Sequence, residues 1–215
     1  GSHPQVLNRR ALFVGLAFAA HASHRMWFSF NSIGAGASVN HLHWQGFFPG
    51  SKRGERFPLE SHLSKDGCIV AAASPKDHVS VWFIPRWPLQ GWVFIWNQTE
   101  DMESTAPRTA TGALQQNLAQ IAAELSVVAM EFISRLQQHD IAHNVLIGGH
   151  GTRVFVFPRR IMNTQGVDAS LLQVAGHEVL GWWIVNRPED FERMTSEDAS
   201  NFLGSAKLEE SDEQL

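Results

Sequence analysis

The chain has 215 residues, 44% of them apolar and 18% charged, enough to bury a sizeable core and to exclude disorder as its main character. Its net charge of −4 gives no basic field to draw in nucleic acid, and no apolar run reaches the roughly 18 residues of a membrane span. Cys68 is the single cysteine, so an internal disulfide and a thiolate-rich zinc cluster are both excluded and a reducing cytosol is expected.

Near the N-terminus, Arg9 and Arg10 precede an apolar stretch over residues 11–20 that ends in Ala20-His21-Ala22. The order of charged, apolar and small residues imitates a targeting signal. By period, Leu12, Leu16 and Ala19, with Phe13, Ala17 and Ala20, recur at helical spacing and make a helix beneath a sheet. Residues 25–31 and 39–48 read as strands separated by a connection containing Gly34 and Gly36. Residues 49–66 are polar and read as an exposed loop. Residues 79–84 and 92–96 alternate as strands with a turn over 85–91, and 100–109 form a polar linker.

Leu114, Leu118, Ile121, Leu125, Val128, Phe132 and Leu136 step by three or four, which predicts a long amphipathic helix whose stripe is core. Residues 145–147 and 153–157 form a hairpin across Gly148, Gly149, His150 and Gly151. Residues 178–185 read as a last strand, Pro188 opens a helix, and Thr195 caps another with Asp198 three residues on. Antiparallel strands with one dominant helix give an α+β fold class. Residues 1–208 form one region, and the acidic tail over 209–215 is expected to fray.

The chemistry concentrates between Asn31 and Gln45. On an extended strand, side chains at alternate positions share a face, so His41, His43 and Gln45 line up in steps of roughly 6–7 Å. A neutral imidazole attacks phosphorus well when its other ring nitrogen is held by an acceptor, and a carboxamide donates to a phosphoryl oxygen as charge builds there. The small-residue approach through Ser32, Gly36 and Ser38 offers backbone N–H groups to an anion without a metal. Two other readings compete. A cupin-type metal site also starts from His-x-His, but it needs a Glu three or four residues on, and Gln45 is followed by Gly46, Phe47, Phe48 and Pro49. Two histidines on a half-buried strand are also often structural.

The run "NSIGAGASVNHLHWQGFF" resembles the signature of the histidine-triad superfamily, in the nucleotidyl-transferase and phosphorylase branch whose third His is Gln. Within it, the sequence is similar to the GDP-hexose phosphorylases, which split GDP-L-galactose or GDP-D-glucose with inorganic phosphate. The similarity continues through "RWPLQGWVF", "HNVLIGGHGTRVFVFPR" and "EVLGWWIVNRPEDFERMTSEDA", from about Leu12 to Leu208. It implies a histidine-triad-like antiparallel sheet and nucleotidylation of His43. It further implies that His41 orients His43 through a backbone hydrogen bond and that Gln45 and Ser38 hold the non-bridging oxygens. Asn31, with Ser32 and Gly36, would lie on the phosphate side. No cofactor and no metal are implied.

In that family a sizeable N-terminal portion, holding much of the base pocket, precedes the helix that begins here near Leu12. This chain is therefore expected to fold yet be weak or inactive alone, its site completed by an N-terminal segment or by a second copy in a homodimer. An exposed apolar patch is expected from Trp27, Phe28 or the helix over 11–20. The implied partners are a nucleotide sugar and phosphate, with no nucleic acid and no membrane, in the cytoplasm. Trp182, where relatives often carry His, is assigned to packing, and His62, His78, His139, His150 and His177 to surface or core. A dinucleoside polyphosphate phosphorylase and a non-catalytic nucleotide-binding fragment are the alternatives.

Overall fold

The structure is a computed structural model, and it describes residues 4–22, 26–48, 56–63, 69–73, 78–97, 112–161, 174–185 and 187–209. The expected linker over 100–109, most of the loop over 49–66 and the tail beyond 209 lie outside these residues. The apolar period of the central segment becomes helix α3 (Gly112–Gln138), and the N-terminal period becomes α1 (Arg9–His21). Asn8 starts α1 by accepting from Ala11 N–H at 3.0 Å, so this segment is a helix in the fold, with Leu12, Leu16 and Ala19 buried.

Seven strands form one sheet in the order β2-β1-β6-β7-β5-β4-β3, every neighbouring pair antiparallel. They are β1 (Trp27–Asn31), β2 (Gln45–Phe47), β3 (Ile69–Ala73), β4 (Val79–Ile84), β5 (Gly91–Trp96), β6 (Ala142–Gly148) and β7 (Arg153–Arg159). The β6–β7 hairpin turns at Gly149 (φ 57°), His150 (φ 58°) and Gly151 (φ 75°), the left-handed conformation that its glycines favour. Strand β3, from "IVAAA", has no counterpart in the sequence reading.

Alternation sorts the strand residues onto two faces. Phe28, Phe30, Val145, Ile147, Val154 and Val156 face α1 and α3 and pack with Leu12, Leu16, Leu125 and Ile133. Each such fully buried aliphatic side chain contributes about 1.5–3 kcal/mol. Trp27, Leu146, Phe155 and Phe157 face the other way, against Phe57 and Leu59, Val179 and Leu180, and Leu203. Those covers come from α2 (Pro58–Leu63) and the residue before it, α4 (Gly176–Val179) and the residue after it, and α6 (Ser196–Gly204), with α5 (Pro188–Arg193) exposed between the last two helices. Pro188 at the start of α5 and the Thr195–Asp198 cap of α6 are as read from sequence.

Three expectations change and one is narrowed. The strand over 178–185 is instead α4 followed by irregular chain. Gly181 at φ 87° and the Glu178 carboxylate, which accepts from Ala175 N–H at 3.0 Å, turn the segment back on itself. Part of the loop over 49–66 is helical, because Glu60 Oε2 reaches back to Phe57 N–H at 3.2 Å and starts α2. The strand over 39–48 is reduced to Gln45–Phe47. Trp27 and Phe28 are buried, and the exposed apolar side chains of this region are Val14 (54%) and Phe18 (61%) of α1. Among the described residues no helix is long and apolar enough to cross a membrane.

Candidate functional site

The motif gathers at the β1–β2 end of the sheet, on the face opposite α1 and α3. Ser29 on β1 lies opposite Gln45 on β2, and a further step of that antiparallel register would set Asn31 opposite His43. The ladder stops short of this pair. Gln5 Nε2 donates to the Asn31 carbonyl at 2.7 Å, taking the acceptor that the ladder would offer next. His41 and His43 therefore precede β2 in unpaired chain. Alternation survives the loss of pairing: Leu42 and Trp44 pack toward the α1 side, Trp44 against Phe30 at 5.9 Å, and the imidazoles project away from it.

His43 is held at one ring nitrogen. Its Nδ1 lies 2.9 Å from the His41 carbonyl and 3.2 Å from Gln5 Oε1. A carbonyl only accepts, so Nδ1 is the donor here, and in the neutral imidazole Nε2 carries the lone pair. The His41 ring is exposed, its centre 5.5 Å from that of His43. Gln5 is itself 2% exposed, and its stretch of chain is anchored where Gln137 Nε2, in the last turn of α3, donates to the Leu7 carbonyl at 3.0 Å.

Gln45 Oε1 accepts from Ser29 Oγ at 3.4 Å and from Asn31 Nδ2 at 3.3 Å, while its Nε2 has no partner among the described residues. Asn31 is 2% exposed and uses its other amide atom, Oδ1, to accept from Asn144 Nδ2 at 2.8 Å. Asn144 Nδ2 also donates to the Ala35 carbonyl at 2.9 Å, which pins the turn that follows β1. Ser32 is buried, its Oγ accepting from His143 N–H at 2.8 Å, so it fastens this turn to β6. Gly36, at φ 85°, packs against the Val174 carbonyl and Ala175. Ser38 is exposed and makes no hydrogen bond among the described residues.

The fold thus joins Asn31, His41, His43 and Gln45 and adds Gln5, Ser29 and Asn144, while Ser32 and Gly36 shape the adjoining turn. Behind them, Arg159 (1% exposed) donates to Asn144 Oδ1 at 3.3 Å and to the Val174 carbonyl. Burial lowers its pKa to about 10, with the nearby Glu178 carboxylate opposing, and it stays charged at neutral pH. Burial raises the pKa of Glu178, against the pull of backbone N–H groups and of Arg159. The remaining histidines are mostly packing groups: His62 lies against Trp87, His78 stacks on Trp96 at 4.9 Å, and His177 lies on Phe47 at 4.2 Å. Trp182 meets Phe57 edge to face. Among the described residues no three His, Cys, Asp or Glu side chains group as metal ligands do.

Only Asn144 among the added residues lay within a quoted sequence match. Gln5 carries no local signal, since its two contacts span 26 and 38 residues.

Known proteins resemble this chain in sequence and in fold. The chain is similar to GDP-L-galactose phosphorylase 2 of Arabidopsis thaliana, 26% identical over 215 residues, covering 96% of this chain and 43% of that protein. It is likewise 26% identical over 211 residues to GDP-D-glucose phosphorylase 1 of Xenopus laevis, covering 95% of this chain and 46% of the relative. The chain thus spans less than half the length of these relatives. The fold matches that of yeast Ap4A phosphorylase Apa2 in complex with Ap4A, with a TM-score of 0.58 at 15% identity, covering 97% of this chain and 68% of that one. This is the histidine-triad-like α+β fold expected from the motif. The family model described as "GDPGP1-like, C-terminal domain" matches residues 64–214, most of the chain, beginning downstream of the His-x-His-x-Gln run. On that match, over most of its length, the chain belongs to the GDPGP1-like C-terminal domain family.

Proposed function

We propose that this chain carries the nucleotidyl-transfer centre of a GDP-hexose phosphorylase, acting on GDP-L-galactose or GDP-D-glucose with inorganic phosphate. The observation that carries the reading is the hydrogen bond from His43 Nδ1 to the His41 carbonyl at 2.9 Å, which leaves Nε2 as the nucleophile. In the first half-reaction Nε2 bonds to the α-phosphorus while the bond from that phosphorus to the bridging oxygen breaks. The electron pair leaves on hexose 1-phosphate. In the second, an oxygen of inorganic phosphate attacks the same phosphorus, the P–N bond breaks, its electrons return to Nε2 and GDP departs. Gln45 Nε2 and the Ser38 hydroxyl face the non-bridging oxygens, and one such donor is worth about 3 kcal/mol of transition-state stabilisation. Asn31 holds Gln45, and the turn with Ser32 and Gly36 shapes the phosphate side. The names of the Arabidopsis and Xenopus relatives support this substrate class, and the single cysteine suits a cytoplasmic setting.

The test is to mix the protein with α-labelled GDP-hexose without phosphate. Acid-labile, base-stable label should remain on the protein and vanish in His43→Ala. Label that survives this substitution, or that maps to His41, removes the mechanism. Turnover of dinucleoside polyphosphates in place of GDP-hexose, across a panel that includes UDP- and ADP-sugars, would assign the centre to a dinucleoside polyphosphate phosphorylase instead.

A further inference from the structure

The polar line behind the motif has a direction. Arg159 carries only donors, so the atom of Asn144 that faces it is Oδ1. That leaves Asn144 Nδ2 to face two acceptors, Asn31 Oδ1 at 2.8 Å and the Ala35 carbonyl at 2.9 Å. The carbonyl cannot donate, so Asn144 is locked from both sides. Asn31, with Oδ1 committed, turns Nδ2 to Gln45 Oε1, where Ser29 Oγ also donates. Gln45 is then left with Nε2, a donor, outermost. Ser29, Asn31, Asn144 and Arg159 are all buried, so reversing any one amide sets acceptor against acceptor or donor against donor out of water. Each such unmade buried bond costs about 1–3 kcal/mol. Stability alone does not favour an arginine here, because its Nε is buried without a hydrogen-bond partner.

We propose that Arg159 and Asn144 are positioning residues that set which end of the Gln45 amide faces the ligand. They hold a donor toward the phosphoryl oxygen through Asn31, without touching substrate. The value of that orientation for catalysis rests on the proposed phosphoryl role of Gln45; the orientation itself does not.

The test is Asn144→Asp in the full chain. The carboxylate has the same shape and still accepts from Arg159, but it cannot donate to Asn31 Oδ1. Asn31 should then turn its Nδ2 to position 144 and present Oδ1 to Gln45, whose Nε2 turns inward. By NMR of 15N-labelled protein, the Gln45 side-chain NH2 should exchange freely with water in the parent. In the variant it should become protected and show cross-peaks to Asn31. With GDP-hexose, kcat should fall about 100-fold while KM stays within about twofold. An inward turn with unchanged turnover supports the orienting line and sinks the functional reading. A Gln45 amide that stays outward in Asn144→Asp overturns the proposal whatever the kinetics. Should that variant not fold, Arg159→Lys, which keeps a donor-only group, should give one set of Gln45 NH2 signals. Arg159→Met should give two, and a single parent-like set in Arg159→Met also overturns it.

Discussion

Gly176, the first residue of α4, lies so close to Ser29 that a β-carbon there would overlap the serine hydroxyl. Since that hydroxyl also donates to Gln45, α4 and the candidate site share one point of contact. Gly176→Ala is expected to cost about 1–3 kcal/mol by overpacking and to weaken nucleotide binding by displacing Ser29. Urea unfolding and equilibrium binding of GDP check both effects. Adding Ser29→Gly should recover part of the stability but none of the binding, and full additivity of the two changes would show that they do not meet.

Gln5→Leu keeps nearly the same volume but removes the amide that joins the Asn31 carbonyl to His43. Leaving that carbonyl unpaired is expected to cost about 1–3 kcal/mol, and the freed His43 ring should lower kcat more than it raises KM. Steady-state kinetics with parallel thermal melts separates the two. Stability loss with unchanged kcat would make Gln5 purely structural.

His143 is buried with Nδ1 on the Ile141 carbonyl at 2.8 Å and Nε2 unpartnered. Burial pushes its pKa below the ordinary 6.5, with that carbonyl opposing. The folded protein keeps this imidazole neutral while the unfolded chain takes up a proton near 6.5, so the unfolded state binds more protons just below that pH. The stabilisation is complete above 6.5 and is lost as pH falls toward the depressed folded value. His62 and His177 shift in the same direction and add to the loss. Calorimetry from about pH 7.5 to about 5.5, across the histidine range, should show a smaller fall in Tm for His143→Leu than for the parent. Equal falls would acquit His143.

Trp44 wedges between Phe30 and Gly15 of α1 and holds the segment that carries both imidazoles. Trp44→Ala is expected to cost about 2 kcal/mol, less than a fully buried tryptophan, and to slow nucleotidylation of His43 more than it weakens nucleotide binding. Rapid-quench labelling beside binding titrations reads the difference. Parallel loss in both would place Trp44 in general packing alone.

The motif was legible because its residues are contiguous and alternate, and α3 because Ile121, Leu125, Val128, Phe132 and Leu136 repeat with the helical period. Pairing was harder to read. The run "HLHWQGFF" looks like continuous strand, yet pairing ends at Gln45, where the distant Gln5 side chain takes the Asn31 carbonyl. The apolar run "EVLGWWIV" has strand composition, yet Gly181 and the back-reaching Glu178 fold it differently. Asn144 and Arg159 carry no chemical signal of their own. Their placement follows from strand partners that local sequence does not specify, Asn31 opposite Asn144 and Ala142 opposite Arg159.

Asn31 and Asn144, hydrogen-bonded in the finished sheet, are 113 residues apart in the chain. At about 5–20 residues per second of synthesis, β1 leaves the ribosome roughly 6–23 s before β6 arrives to pair with it. During that interval β1 has β2 on one side but lacks β6 on the other, and Asn31 Oδ1 lacks Asn144. The β6–β7 hairpin, by contrast, closes within a few residues of its own emergence. The candidate site therefore waits on a strand made 113 residues later, and a nascent chain is exposed to holdase chaperones there throughout that interval.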